Sequence, residues 1–271
     1  MAESPTITLT TDFGYKDPFS GIMKGVILTI NPAVTLVDIT HAIAPQNILD
    51  AAYSLEKSFT VFPAKTIHVA VVDPGVGSSR RPIIVATDHH YFVGPDNGIF
   101  SRVYLRTESL QVIHITGEHY FLPDRSGTFD GRDVFAPVAG WLSRGINVLK
   151  FGDPITDYVT LPFPTPSMPA EHIIEGEIIS IDIFGNAISN IDKQQLIHLI
   201  EKNPRGKLRV MVKGTEAPLK DSYSQAGDKN LYALINSFGY LECFTNRGNA
   251  ASEFAIQVGD KVGVILANSS P

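Results

Sequence analysis

Cysteine is nearly absent from this chain: Cys243 is the only one in 271 residues. That excludes a disulfide framework and a thiolate metal cluster. Its neighbours Tyr240, Leu241 and Phe244 suit a small buried hydrophobe rather than a reactive thiol. Long basic runs are also missing, and the formal net charge is −6. A nucleic-acid partner needs a basic face for its phosphates, so none is expected. No apolar stretch is long enough to span a bilayer. Met1-Ala2-Glu3-Ser4-Pro5 lacks the basic region and apolar core of a signal peptide, so the expectation is a cytoplasmic protein with no membrane partner. The eight histidines are scattered, without zinc-ligand spacing and a third ligand nearby, and no metal is expected. Internal repeats and low-complexity tracts are absent.

What remains is 44% hydrophobic and 18% charged, an ordinary globular composition with room for two domains. Ile7 to Thr11 reads as a strand, and Pro18 to Ile30 as a helix ended by Asn31-Pro32. A second strand at 34–39 and a helix at 45–62 follow, then strands near 66–72, 82–87 and 111–115. Phe129 to Leu142 reads as a helix that Pro137 bends or bounds. This alternation predicts a layered α/β domain with a largely parallel sheet. Pro162, Pro164, Pro166 and Pro169 then crowd a stiff linker. Beyond it, short strands at 173–181, 187–191, 207–213, 240–245 and 261–267, with a helix at 192–203, predict a small β-barrel. The expected domains are 1–165 and 166–271.

Chemistry concentrates at strand ends. Val72-Asp73-Pro74-Gly75-Val76-Gly77-Ser78-Ser79-Arg80-Arg81 follows a β-branched strand. It sets an acid, a Gly-rich turn and an arginine pair beside the crevice where α/β sheets bind ligands. It lacks the third glycine of a dinucleotide fingerprint and the Gly-Lys-Ser/Thr ending of a P-loop. A surface salt bridge is the plain alternative. Asp12 ends the first strand in the same way, suited either to an Asx turn or to the two hydroxyls of a ribose. Pro95-Asp96-Asn97-Gly98 is explained by a turn and an N-cap. Asp130 and Asp133 suit the positive end of a helix dipole. His89 and His90, if in a strand, point to opposite faces. Asp182-Ile183-Phe184-Gly185-Asn186, Ser237-Phe238-Gly239-Tyr240 and Asn249-Ala250-Ala251-Ser252 are polar turns that could together stack on and read a purine.

Taken in order, TTDFG (10–14), NP…VDITH (31–41), VDPGVGSSRR (72–81), PDNG (95–98), TFDGRD (128–133), FGN (184–186) and GNAAS (248–252) resemble the S-adenosylmethionine hydroxide adenosyltransferase family, relatives of the fluorinase and chlorinase. The resemblance covers nearly the whole chain. It implies an α/β N-terminal domain, a C-terminal β-barrel, and a homotrimer with active sites between one subunit's N-terminal domain and the next subunit's barrel. The implied reaction is attack of water on C5′ of S-adenosyl-L-methionine, releasing adenosine and L-methionine without a cofactor. Carried over, Asp73 and Arg80 match the first two members of the family's Asp–Arg–His set. The histidine expected after Thr128-Phe129 is Asp130 here. An imidazole titrates near neutral pH and an aspartate ordinarily does not. Either Asp130 serves as the base, Asp73 suffices, or the protein is impaired; on the first view, Asp130→His keeps or raises hydrolysis. The resemblance assigns Asp12 to the ribose, Asp17 to the methionine end, and Asn186, Ser237, Glu242 and Asn249 to substrate contacts. Phe13, Asn97, Asp182, Phe184 and Ala250, in the same motifs, complete the set. Two other functions compete. A halogenase is disfavoured because a carboxylate near 4 Å costs an anion about 4 kcal/mol at an effective dielectric of 20, and Arg80 offsets only part of it. A catalytically silent adenosine- or S-adenosylmethionine-binding protein is the other.

Overall fold

Strands with both faces buried set the centre of the N-terminal sheet: Ile7 to Thr11 and Ile67 to Val71 are buried throughout. Such strands need helices on either side, which is what parallel sheets carry. The computed structural model describes residues 4–202 and 206–267. The chain divides between Leu161 and Pro162 into two compact units, within the proline-rich segment and a few residues before position 165. No helix among the described residues is long and apolar enough to cross a membrane.

The first unit runs β1 (Thr6–Thr11), α1 (Phe19–Ile30), β2 (Thr35–Thr40), α2 (Ile48–Ser58), β3 (Ile67–Val71), β4 (Pro82–Thr87), β5 (Tyr91–Pro95), α3 (Ser101–Tyr104), β6 (Leu110–Ile115), α4 (Ala136–Ser143) and β7 (Gly152–Ile155). The sheet order is β2-β1-β3-β5-β4-β6-β7. It is parallel from β2 to β5 and antiparallel from β5 to β7. One core, including Met23, Ile27, Phe135 and Val138, lies between the sheet and α1 with α4. A second, including Leu55, Phe59, Phe92 and Phe100, lies between the sheet and α2 with α3. The Asn47 side chain caps α2 by accepting from Asp50 N. The helix expected over 129–142 is one π turn, Gly131–Phe135, followed by α4. Pro137 lies where the π turn runs without a break into α4. His89 and His90 lie in the turn between β4 and β5 rather than within a strand.

The second unit contains β8 (Ser167–Ala170), β9 (Ile173–Ile181), β10 (Ala187–Asp192), α5 (Lys193–Lys202), β11 (Lys207–Val212), β12 (Thr215–Ala217), β13 (Leu231–Ile235), β14 (Tyr240–Thr245), α6 (Ala250–Glu253) and β15 (Lys261–Ala267). The order is β12-β11-β15-β9-β10-β14-β13, with β8 on β9. Its two ends approach where Leu219 bridges Ala233, so the sheet nearly closes into a barrel. Ile174, Ile178, Leu241 and Val264 are among the side chains that fill it, and Cys243 is buried with them.

Candidate active site

Because β1 and β3 are adjacent and parallel, Asp12 and Asp73 emerge on the same edge of the sheet. Both line a cleft of about 420 Å³ with Phe13, Phe19, Phe129 and Asp130, a size suited to a small ligand. The Asp12 carboxylate accepts from Gln46 N at 2.8 Å. Phe13, Phe19 and Phe129 meet edge to face, with centroids 5.2–5.7 Å apart, and give the cleft an apolar wall.

The turn after Asp73 depends on Gly77, whose φ is +79°; a Cβ there would lie 2.7 Å from the Gly127 carbonyl oxygen. Only glycine combines that conformation with so close an approach, so the Asp73 turn packs backbone to backbone against the segment leading to Asp130. Arg80 then folds back. Its Nε donates to both Asp73 oxygens at 2.9 Å, and its Nη2 donates to Asp73 Oδ2 and, at 2.7 Å, to Asp130 Oδ2. The three side chains are 9%, 5% and 3% exposed for Arg80, Asp73 and Asp130, so these charges are largely withdrawn from water.

A second guanidinium, which the sequence reading missed, completes the cluster. Arg125 reaches Asp130 Oδ1 from Nη2 at 3.2 Å and from Nε at 3.3 Å, while its guanidinium stacks on Phe121. Two carboxylates thus face two guanidiniums, and their formal charges cancel. The second cation lessens the field that disfavoured a halide when Arg80 was counted alone, but the cleft is still lined by the carboxylates of Asp12, Asp73 and Asp130. The loop carrying Arg125 is held by Asp133, whose Oδ2 accepts from Ser126 N and Oγ, both at 2.8 Å. Burial raises the Asp133 carboxyl, but hydrogen bonds from Arg132 and Ser126 outweigh it and hold the group below its usual range. Asp133 is therefore a loop anchor, which accounts for its place in TFDGRD.

Other candidates lie off the cleft. Asn97 Nδ2 donates to the Val72 carbonyl at 2.9 Å and braces the strand end before Asp73. Asp17 is exposed and does not line the cleft. Arg81 turns away from Arg80 to bind Asp96 and Asp157.

In the second unit the Asp182 carboxylate accepts from Phe184 N, Asn186 N and Asn186 Nδ2 at 2.8–3.0 Å, which closes the 182–186 turn. Gly185 touches the Asn249 side chain, which a Cβ would approach to 2.1 Å. Asn249 in turn caps α6, accepting from Ser252 N at 2.8 Å. Asp182, Asn186, Asn249 and buried Ala250 are thereby brought together, with Phe184 73% exposed beside them. Ser237 is exposed in the turn before β14. Glu242 is buried and accepts from Tyr223 Oη at 2.6 Å and Asn236 Nδ2 at 3.1 Å. Burial, that hydrogen bond and the charges of Glu242 and Asp182 push the Tyr223 phenol up. Tyr223 was not among the expected residues, and nothing in its local sequence marks it. Among the described residues no group of three or more His, Cys, Asp or Glu side chains is disposed to hold a metal ion.

Residues 7–152 match the family model for the SAM hydroxide adenosyltransferase N-terminal domain, and residues 176–263 that for its C-terminal domain. The chain belongs to the SAM hydroxide adenosyltransferase family. It is 35% identical to an (R)-S-adenosyl-L-methionine hydrolase of Methanocaldococcus jannaschii, over 96% of this chain and 95% of the relative. It is 31% identical to a Thermus thermophilus protein of the same name, over 94% of this chain and 97% of the relative. A fluorinase of Nocardia brasiliensis is 25% identical over 96% of each chain. A crystal structure of a Thermotoga maritima protein superimposes with a TM-score of 0.88 at 32% identity, covering 96% of this chain and 99% of that one. Asp73 pairs with Arg80, and Asp130 pairs with both Arg80 and Arg125.

Proposed function

We propose that this protein hydrolyses S-adenosyl-L-methionine to adenosine and L-methionine by attack of water on C5′. The observation that carries the reading is Asp73, fixed by Arg80 on the wall of a cleft that Asp12 and Phe13 also line. The hydrolase relatives at 31% and 35% identity support it, and the fluorinase is more distant.

In this mechanism Asp12 accepts hydrogen bonds from the ribose hydroxyls, and the phenylalanine wall packs on the nucleoside. Arg80 occupies part of the Asp73 carboxylate, and the remaining lone pairs accept a hydrogen bond from the attacking water. The water oxygen bonds to C5′ as the C5′–S pair returns to sulfur, which loses its positive charge and leaves as the neutral thioether of methionine. The water's proton passes to Asp73 and then to solvent. The sulfonium is already an activated leaving group, so the mechanism calls for no general acid, metal or cofactor. Alignment of water opposite the C5′–S bond can contribute about 7–11 kcal/mol, and proton acceptance about 10²–10⁴-fold in rate. Asp130, engaged by Arg80 and Arg125, acts as the acceptor that holds Arg80 in place rather than as the base.

The second unit supplies the adenine contacts, through Phe184, Asn186, Asn249 and Ala250, with Glu242 and Ser237 nearby. The working assembly is a homotrimer in which one subunit's cleft meets the next subunit's barrel. The resemblance to the family supports this, as do Ile183 and Phe184, 92% and 73% exposed at the barrel turn. A cytoplasmic setting suits a single cysteine that is free and buried.

The deciding experiment incubates the protein with S-adenosyl-L-methionine in ¹⁸O-water and separates the products. Adenosine labelled at the 5′-hydroxyl, with equimolar methionine, is expected. Parallel incubations with chloride and fluoride test the halogenase, and a 5′-halo-adenosine product would overturn the choice of water. Binding without products would instead make this a silent binding protein. Light scattering of the native protein should return three times the chain mass.

A further inference from the structure

The end of β2, in the segment Val37-Asp38-Ile39-Thr40-His41, has no part in the mechanism above, yet it leads to a histidine with a fully buried side chain. β2 pairs with β1, so His41 lies beside Thr11, the last residue before the turn that presents Asp12 and Phe13 to the cleft. His41 Nδ1 is 2.8 Å from Thr11 Oγ1. The same hydroxyl accepts from Phe13 N at 3.2 Å.

Thr11 Oγ1 and His41 Nδ1 thus share one hydrogen bond, which ties the buried imidazole to the hydroxyl that Phe13 N also engages. Nε2 faces Asp38 Oδ1 at 3.0 Å, within ion-pair range though off the line of a well-directed hydrogen bond. Asp38 Oδ2 binds Lys24 Nζ at 2.6 Å. Burial raises the Asp38 carboxyl, but Lys24 and His41 more than offset it and hold it below its usual value. The His41 backbone acts on the same turn, its carbonyl accepting from Gly14 N at 2.7 Å. The Tyr15 ring closes the arrangement, edge to face with the imidazole at 5.3 Å.

We propose that His41 is a positioning residue for substrate binding: through Thr11 and Gly14 it locks the turn that carries Asp12 and Phe13. This rests on the cleft being the S-adenosyl-L-methionine site. His41 touches no reacting atom, so its loss should act on substrate affinity more than on the chemical step.

The test compares Thr11→Val and His41→Leu, which remove the hydrogen bond at similar volume, with Thr11→Ser and His41→Asn, which keep a hydroxyl or a hydrogen-bonding group in place of Nδ1. Hydrolysis kinetics and calorimetric adenosine binding are measured on all four and on the parent, with circular dichroism to verify folding. Thr11→Val and His41→Leu should raise KM and the adenosine Kd about tenfold, with kcat within about threefold of the parent. Thr11→Ser and His41→Asn should remain within about threefold in all three parameters. If His41→Leu does not fold, Thr11→Val alone decides. An active parent whose Thr11→Val variant keeps its KM and adenosine Kd, or loses kcat alone, overturns the inference. A parent that neither hydrolyses S-adenosyl-L-methionine nor binds adenosine overturns the underlying reading instead.

Discussion

Replacing Asp130 with histidine would restore the residue type that the family resemblance leads one to expect, and sequence alone suggests that hydrolysis would hold or rise. The charge cluster points the other way. Asp130 accepts from Arg80 at 2.7 Å and from Arg125 at 3.2 Å, so a neutral imidazole placed there would leave two guanidiniums without that carboxylate, and the uncompensated positive charge beside Asp73 would make it a weaker acceptor for the water's proton. Arg125 is 40% exposed, so its effect lies between the roughly 0.2–1 kcal/mol of an exposed pair and the roughly 4 kcal/mol of a charge at 4 Å in a dielectric of 20. About 1–2 kcal/mol is a reasonable value, or about tenfold in rate per 1.4 kcal/mol. Buried Arg80 adds a larger share. Asp130→His is therefore expected to lower kcat/KM at pH 7 by about 10–100-fold. Adding Arg125→Gln, which removes the second cation, should recover about tenfold. The assay is adenosine release across pH 5–9 for the parent, both single variants and the double variant, with circular dichroism to verify folding. Asp130→His equal to or faster than the parent, or a double variant no faster than Asp130→His, would refute the reasoning.

What was legible in the sequence follows from local rules, and what was not depends on folding at a distance. Asp12 and Asp73 could be placed on one rim because parallel strands send their carboxyl ends the same way. The Asp73–Arg80 pair could be read because a Gly-rich turn returns the chain over only seven residues. Arg125 could not be read. Its contact with Asp130 requires the 122–127 loop to be folded back by Asp133 and Ser126, and nothing in Pro123-Asp124-Arg125-Ser126-Gly127 announces that. The antiparallel half of the sheet could not be read, because the strand that precedes Asp96-Asn97-Gly98 carries no local mark of its pairing with β3 and β4. Asn97 joined the expected contacts only through the family resemblance, since a turn and an N-cap explain it locally. The Val72 carbonyl takes its side-chain amide, which makes Asn97 a support for Asp73 at one remove. The π turn at Gly131–Phe135 adds a residue to the helical turn just after Asp130, a detail that hydrophobic periodicity does not encode.

Three further outcomes are expected. Asp73→Ala should cut turnover by about 10²–10⁴-fold while the adenosine Kd, measured by calorimetry, moves less than about threefold; retained turnover would remove Asp73 from the mechanism. Arg80→Ala leaves two buried carboxylates without their shared partner, so urea denaturation should report a loss of about 3–5 kcal/mol along with loss of turnover. The last prediction concerns His68, enclosed by Phe59, Phe62, Phe92 and His90. Burial, with a smaller contribution from His90, pushes it down from 6.5 to about 3. The unfolded chain therefore binds a proton below pH 6.5 that the folded protein refuses until near pH 3. The stability contributed by neutral His68 is complete above pH 6.5 and is lost as the pH falls toward 3. At pH 5, about 1.5 units below the unfolded value, the loss is about 2 kcal/mol at 1.36 kcal/mol per unit. Urea denaturation at pH 8 and pH 5 should show this fall in the parent, and His68→Asn should reduce it by about 2 kcal/mol whatever its baseline stability. An unchanged difference between the two pH values in His68→Asn would mean that the imidazole is protonated within the fold, and that its surroundings do not exclude charge as their apolar character requires.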